Sequence, residues 1–95
     1  MKSVIERVQA ERRCQDEKWS EQNHNAVEWM AILTEEVGEA SKEAVDFHFA
    51  NDTLANEKAN YDAQWQRIER LKMELIQTAA VAISAVESIE RQALA

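Results

Sequence analysis

Apolar residues recur along the chain at intervals of three and four rather than at every second position, so the pattern is helical. Ser3 and Glu6 have the spacing of an S-x-x-E capping box, which starts a first helix running to about Trp19. Its apolar positions are few (Val4, Ile5, Val8, then Trp19), which predicts a peripheral helix. Residues 20–25 are polar and read as a loop, with Asn25 placed to cap the next helix. From about residue 26 to 50, Ala26, Trp29, Met30, Leu33, Val37, Ala40, Ala44 and Phe47 fall on one stripe at about 100° per residue. Asn51 and Asp52 then end that helix. Residues 53–63 are mostly polar, with Leu54 and Tyr61 as apolar anchors.

A third helix is expected from about residue 61 to 91, with Trp65, Ile68, Leu71, Leu75, Ala79, Ala82, Val86 and Ile89 on one face. Between residues 79 and 86 it is apolar on nearly all sides, which calls for burial all round. Two long helices and a peripheral one cannot cover that segment within one short chain. The small residues Ala79, Ala80, Ala82, Ser84 and Ala85 would let helices approach closely. The expected fold is therefore all-α, with residues 1–95 forming a single domain. It is a long-helix hairpin with a peripheral N-terminal helix, completing a four-helix bundle by oligomerisation as a homodimer or homotetramer.

Composition narrows the function. One Gly and no Pro in 95 residues argue against turn-rich β folds, and one Gly cannot build a phosphate-binding loop. With 45% hydrophobic and 31% charged residues the chain is globular rather than disordered. A net charge of −7 argues against a nucleic acid partner. The lone Cys14 permits no internal disulfide, has no visible activating partner and reads as inert. The charged start and the lack of a long apolar run predict no signal peptide, no membrane association and a cytoplasmic location.

The informative residues are acidic. Glu35, Glu36 and Glu39 lie in LTEEVGEASKEAVDF, with Glu43 and Asp46 after them. Spacings of three and four put Glu36, Glu39 and Glu43 along one helix flank. One reading is a solvated acidic face. Against it, Ile32 shares that flank, and Gly38 sits mid-helix at about 1 kcal/mol relative to Ala, which reads as a point of close backbone approach. Glu74 stands at the end of an apolar row continued by Thr78, Val81 and Ala85, with an ion pair to Arg70 as its structural alternative. Side-by-side packing of the two long helices would bring Glu36, Glu39 and Glu74 together. Three such carboxylates repel unless a hard divalent cation joins them, and oxygen-only ligands favour Mg²⁺ or Mn²⁺.

Glu36-Val37-Gly38-Glu39 followed by Glu74-Leu75-Ile76-Gln77 resembles the ExxE…ExxD signature of the MazG-type all-α nucleoside triphosphate pyrophosphohydrolases. QDEKWSEQNH, WMAILTEEVGEASKEA and ELIQTAAVAISAVESIER are similar to short phage and bacterial members, so the resemblance covers about residues 11–91. It implies a helical bundle built from dimers or tetramers, Mg²⁺ held by carboxylates, and cleavage of an NTP or dNTP to the monophosphate and pyrophosphate. The family's Asp position is Gln77 here, which offers a neutral carbonyl oxygen; Glu35 and Glu43 are the alternative ligands. Related enzymes carry a His just before the motif helix, which places His24 near substrate or, as a loop residue, at a surface cap. Trp19 reads as a stacking platform for a base or as a core anchor. Lys18 and Arg70 are the candidate phosphate contacts, while Trp29, Phe47, Phe49 and Trp65 read as core or interface.

Together these features predict a Mg²⁺-dependent nucleoside triphosphate pyrophosphohydrolase. Its ligands would be Glu36, Glu39, Glu74 and Gln77, and Glu35 would be a ligand or the base accepting a proton from water. The rival expectation is a non-catalytic helical interaction module that oligomerises or docks a partner through the third helix.

Overall fold

The structure is a computed structural model describing residues 2–49 and 57–94. The chain is all-helical: α1 spans Val4–Trp19, α2 spans Ala26–His48 and α3 spans Glu57–Leu94. The starts of α1 and α2 are set by local chemistry. Ser3 Oγ accepts from the Glu6 N–H at 3.1 Å while Glu6 Oε1 accepts from the Ser3 N–H at 3.5 Å, closing the expected capping box. Asn25 caps α2 as expected and forms a second box, its Oδ1 accepting from the Glu28 N–H at 2.8 Å and its N–H donating to Glu28 Oε1 at 3.0 Å.

Helix α1 ends at Ser20, whose N–H donates to Asp16 O and whose φ of 63° turns the chain sharply. That φ lies in the left-handed region, where a residue with a Cβ is strained. Helix α3 already includes the four residues before the expected Tyr61, where Glu57, Lys58 and Ala59 are good helix formers uninterrupted by Gly or Pro. The expected ends at Ala50, Asn51 and Asp52, and the anchor Leu54, lie outside the described residues.

Helix α3 has 38 residues, about 57 Å at 1.5 Å per residue, and it accounts for the 59 Å long axis of the molecule. Helices α1 and α2 each pack along α3 and not on each other. Val8 and Gln15 are the buried residues of α1, and Trp29 and Ala40 those of α2. On α3 the most buried residues are Ala80, Val81 and Ser88.

These α3 residues are not the expected stripe. Trp65, Leu75, Val86 and Ile89 are exposed, at 54%, 52%, 56% and 44%. At 100° per residue Trp65, Leu75 and Val86 lie about 120–160° round α3 from Val81, and Ile89 about 80° from it. On α2, Met30 and Val37 are likewise exposed while Trp29 and Ala40 turn inward. Ile68, Leu71, Ala79 and Ala82 of the expected stripe are half-buried, so α1 and α2 cover that face only in part. Phe49 is exposed as well, and Phe47 is half-buried. The radius of gyration, 16.7 Å, exceeds the roughly 12 Å of a compact domain of this length.

Gly38 does not mark a close approach. A Cβ built there meets nothing within 4 Å, so the helix carries the entropic cost of glycine without a steric need for it. Replacement by alanine, Gly38→Ala, should stabilise the protein by about 1 kcal/mol and raise the thermal midpoint by several degrees. A midpoint that falls on calorimetry would show that this stretch of α2 is covered after all.

Candidate metal centre and adjoining cavity

Packing of α2 on α3 converts a sequence spacing into a cluster. One carboxylate oxygen from each of Glu36, Glu39 and Glu74 lies within 4.8 Å of the other two. The i, i+3 spacing turns Glu36 and Glu39 to one flank of α2, and Glu74 meets them from α3. Glu36 and Glu74 are half-buried, whereas Glu39 is exposed. Glu36 Oε2 and Glu74 Oε2 are buried without a hydrogen-bond donor.

The expected alternative partner of Glu74 is engaged elsewhere: Arg70 Nε donates to Glu43 Oε2 at 3.3 Å. Burial raises the Glu36 pKa above the ordinary carboxylate value, and the charges of Glu39, Glu74, Glu35 and Glu11 push it the same way. Burial also raises Glu74, followed by the charge of Glu39, a hydrogen bond with Glu39 and the charge of Glu43. An all-oxygen donor set with orphaned buried oxygens fits a hard divalent cation, which would supply the missing positive charge.

The other expected site residues are distributed around this cluster. Glu35 is exposed beside Glu36. Gln77 lies about one turn beyond Glu74 and is half-buried, and its backbone oxygen accepts from Gln15 Nε2 at 3.4 Å. Trp19 lines a cavity of about 270 Å³, and Lys18 Nζ stands 4.9 Å from the centre of its ring. His24 is not in that cavity wall. It packs edge-on against Trp29 at 4.9 Å, with Nε2 2.7 Å from Gln22 Oε1. Arg70 is tied to Glu43 on the α2–α3 side. Cys14 is exposed.

The cavity lies between α1 and α2 over the C-terminal half of α3, and Glu36 belongs both to its wall and to the carboxylate cluster. Arg12, Gln15, Trp29 and Arg91 also line it and did not emerge as site residues from the sequence. Arg12 pairs with Asp16 and, at 2.8 Å, with Glu87. Arg91 forms an ion pair with Glu21 at 3.0 Å, and its Nη2 donates to the Gln22 carbonyl at 3.2 Å and to Asn23 Oδ1 at 3.1 Å. Gln92 Nε2 donates to the His24 carbonyl at 2.8 Å. These links fasten the end of α1 and the following loop to α3. The Arg12–Asp16 spacing of four residues was visible as a helix pair, but partners 68 to 75 positions away carry no local signal.

Comparison of the chain with protein-family models, with curated proteins and with solved structures gives no match. Among the described residues no helix is long and apolar enough to cross a membrane.

The raised pKa values fix a sign for pH dependence. In the metal-free protein the folded state holds protons on Glu36 and Glu74 that the unfolded chain has released. Their contribution to stability is thus complete below the ordinary carboxylate pKa and is lost as pH rises through the raised folded values. Comparing thermal midpoints across that window, the parent should fall more steeply than the double variant Glu36→Gln/Glu74→Gln. Superimposable pH profiles would show that the two acids do not feel one another or their burial.

Proposed function

We propose that this protein is a Mg²⁺-dependent nucleoside triphosphate pyrophosphohydrolase of the MazG-like type, cleaving an NTP or dNTP to the monophosphate and pyrophosphate. The convergence of Glu36, Glu39 and Glu74, with two buried oxygens lacking donors and a cavity opening at Glu36, carries this reading. Mg²⁺ or Mn²⁺ held there would join the triphosphate oxygens to the protein and make a bound water a better nucleophile.

The chain's own groups divide the remaining work. Glu36, Glu39 and Glu74 supply the anionic ligands, with Gln77 adding a neutral carbonyl oxygen. Glu35, exposed beside them, accepts the proton of the attacking water. Water oxygen bonds to one phosphorus of the α–β linkage, the bridging P–O bond breaks with its electron pair going to the oxygen of the other phosphoryl group, and the monophosphate and pyrophosphate separate. The cavity, which Trp19 lines, receives the nucleoside, with Lys18 beside the Trp19 ring. The net charge of −7 suits this chemistry only when metal arrives with the triphosphate, since a bare acidic site repels it.

The same reading includes a homodimer that completes a four-helix bundle, alone or within a tetramer. The exposed apolar residues Trp65, Leu75, Val86 and Ile89 on α3, and Met30 and Val37 on α2, support it. These residues also favour the second reading, a non-catalytic helical interaction module, in which the acids are a charged surface and a partner covers α3.

Pyrophosphate release assayed across the NTP and dNTP panel should require Mg²⁺ or Mn²⁺. It should drop at least about 100-fold in each of Glu36→Gln, Glu39→Gln and Glu74→Gln, the scale of losing a principal source of transition-state charge stabilisation. Divalent metal should raise the thermal midpoint of the parent and not of these variants. Absence of turnover on every nucleotide together with a metal-indifferent melt would leave only the interaction module. In light scattering the species should be two or four times the 10.9 kDa chain; a monomer at micromolar concentration would exclude the bundle.

A further inference from the structure

Residues 20–25 join α1 to α2, and two of them, Ser20 and Gln22, line the cavity together with Arg91 of α3. Two adjacent α3 side chains hold this segment. Arg91 pairs with Glu21 at 3.0 Å, and its Nη2 donates to the Gln22 carbonyl at 3.2 Å and to Asn23 Oδ1 at 3.1 Å. Gln92 Nε2 donates to the His24 carbonyl at 2.8 Å. These contacts are all polar. The Arg91–Glu21 pair lies at the surface, its side chains 36% and 60% exposed, so salt screens it. The α2 end of the segment is fixed separately, by the Asn25 cap and the edge-on contact of His24 with Trp29.

Two features oppose the closed arrangement. Ser20 has φ 63° and ψ 177°, a combination in which essentially only glycine is unstrained. Arg91 Nε is buried without a hydrogen-bond acceptor despite its closeness to Glu21, and an unanswered buried donor is costly. A strained residue keeps its conformation only where the surroundings over-determine it. Here those surroundings are the Ser20 N–H bond to the Asp16 carbonyl at 2.8 Å and the contacts of Arg91 and Gln92.

We propose that residues 20–25 form a strap over one end of the cavity, hinged at Ser20 and latched by Arg91, which swings aside to admit a ligand. Strain at Ser20 favours release and the bonds of Arg91 favour closure. Release breaks exposed polar contacts and leaves the Asn25 cap and α2 in place. The device does not depend on what the cavity binds.

A thiol in the cavity wall reads its opening. Ser84 lines the cavity and is half-buried, and Ser84→Cys changes its size little; Cys14 is exposed and serves as the internal reference. Labelling by N-ethylmaleimide, a neutral reagent, is followed at each site by mass spectrometry. The introduced thiol should react more slowly than Cys14. Adding Arg91→Gln should speed it about tenfold, the scale of losing hydrogen bonds to a charged group, and Ser20→Gly should slow it. Higher ionic strength should speed it in the parent background and not with Arg91→Gln. Glu21→Gln, which alters only an exposed partner, should speed it in the same direction even if Arg91→Gln folds poorly. The thiol of a separate Ala40→Cys protein, buried on α2 away from the strap, should not respond. An introduced thiol as reactive as Cys14, a rate indifferent to Glu21→Gln and to salt, labelling no slower in Ser20→Gly, or equal acceleration at position 40 would each overturn the strap.

Discussion

Because α1 and α2 both lean on α3 and not on each other, one 38-residue helix sets the relative position of every functional group. The surface of α3 under them is made of small side chains, Ala80 and Ser88 being fully buried. Small residues bring the helix axes close, and close axes let short acidic side chains on neighbouring helices meet. The carboxylate cluster is thus a consequence of the same packing that buries Ala80. Separating α1 from α2 also creates the cavity, which has α3 for its floor.

Electrostatics works against this arrangement when metal is absent. Glu36 and Glu74 have pKa values raised first by burial and then by neighbouring carboxylates, so their ionised forms are disfavoured in the fold. The cation one turn before Glu74, Arg70, is spent on Glu43. Half-buried carboxylates left in this condition are costly unless an external charge compensates them. The proposed catalysis uses that imbalance: what destabilises the apo fold is what would draw in a divalent ion.

The cavity and the carboxylate cluster meet at Glu36, the residue common to both. Gln15 makes a second connection, joining Glu11 to the backbone at Gln77 on α3. Arg12, Arg91 and Gln92 hold the far end of the cavity by bonds to Glu87, the 21–23 loop and the His24 carbonyl.

Local features of the fold were legible in the sequence because they depend on near neighbours. The Ser3–Glu6 box, the Asn25 cap, the helical period and the i, i+3 placement of Glu36 and Glu39 all arise within one turn of chain. The approach of Glu74 to that pair was also anticipated, since it needed only that two amphipathic helices lie side by side. Tertiary structure decided what periodicity leaves open. A repeat of 3.6 shows that α3 has an apolar stripe, but not that α1 and α2 take the side of Ala80 and Ser88 and leave Trp65 and Val86 exposed. It cannot show that Arg70 chooses Glu43 over Glu74, that Gly38 faces open space, or that Trp29 is buried with its N–H unanswered. Each of these depends on where a second helix lies in three dimensions, and spacing along one helix carries no term for that distance.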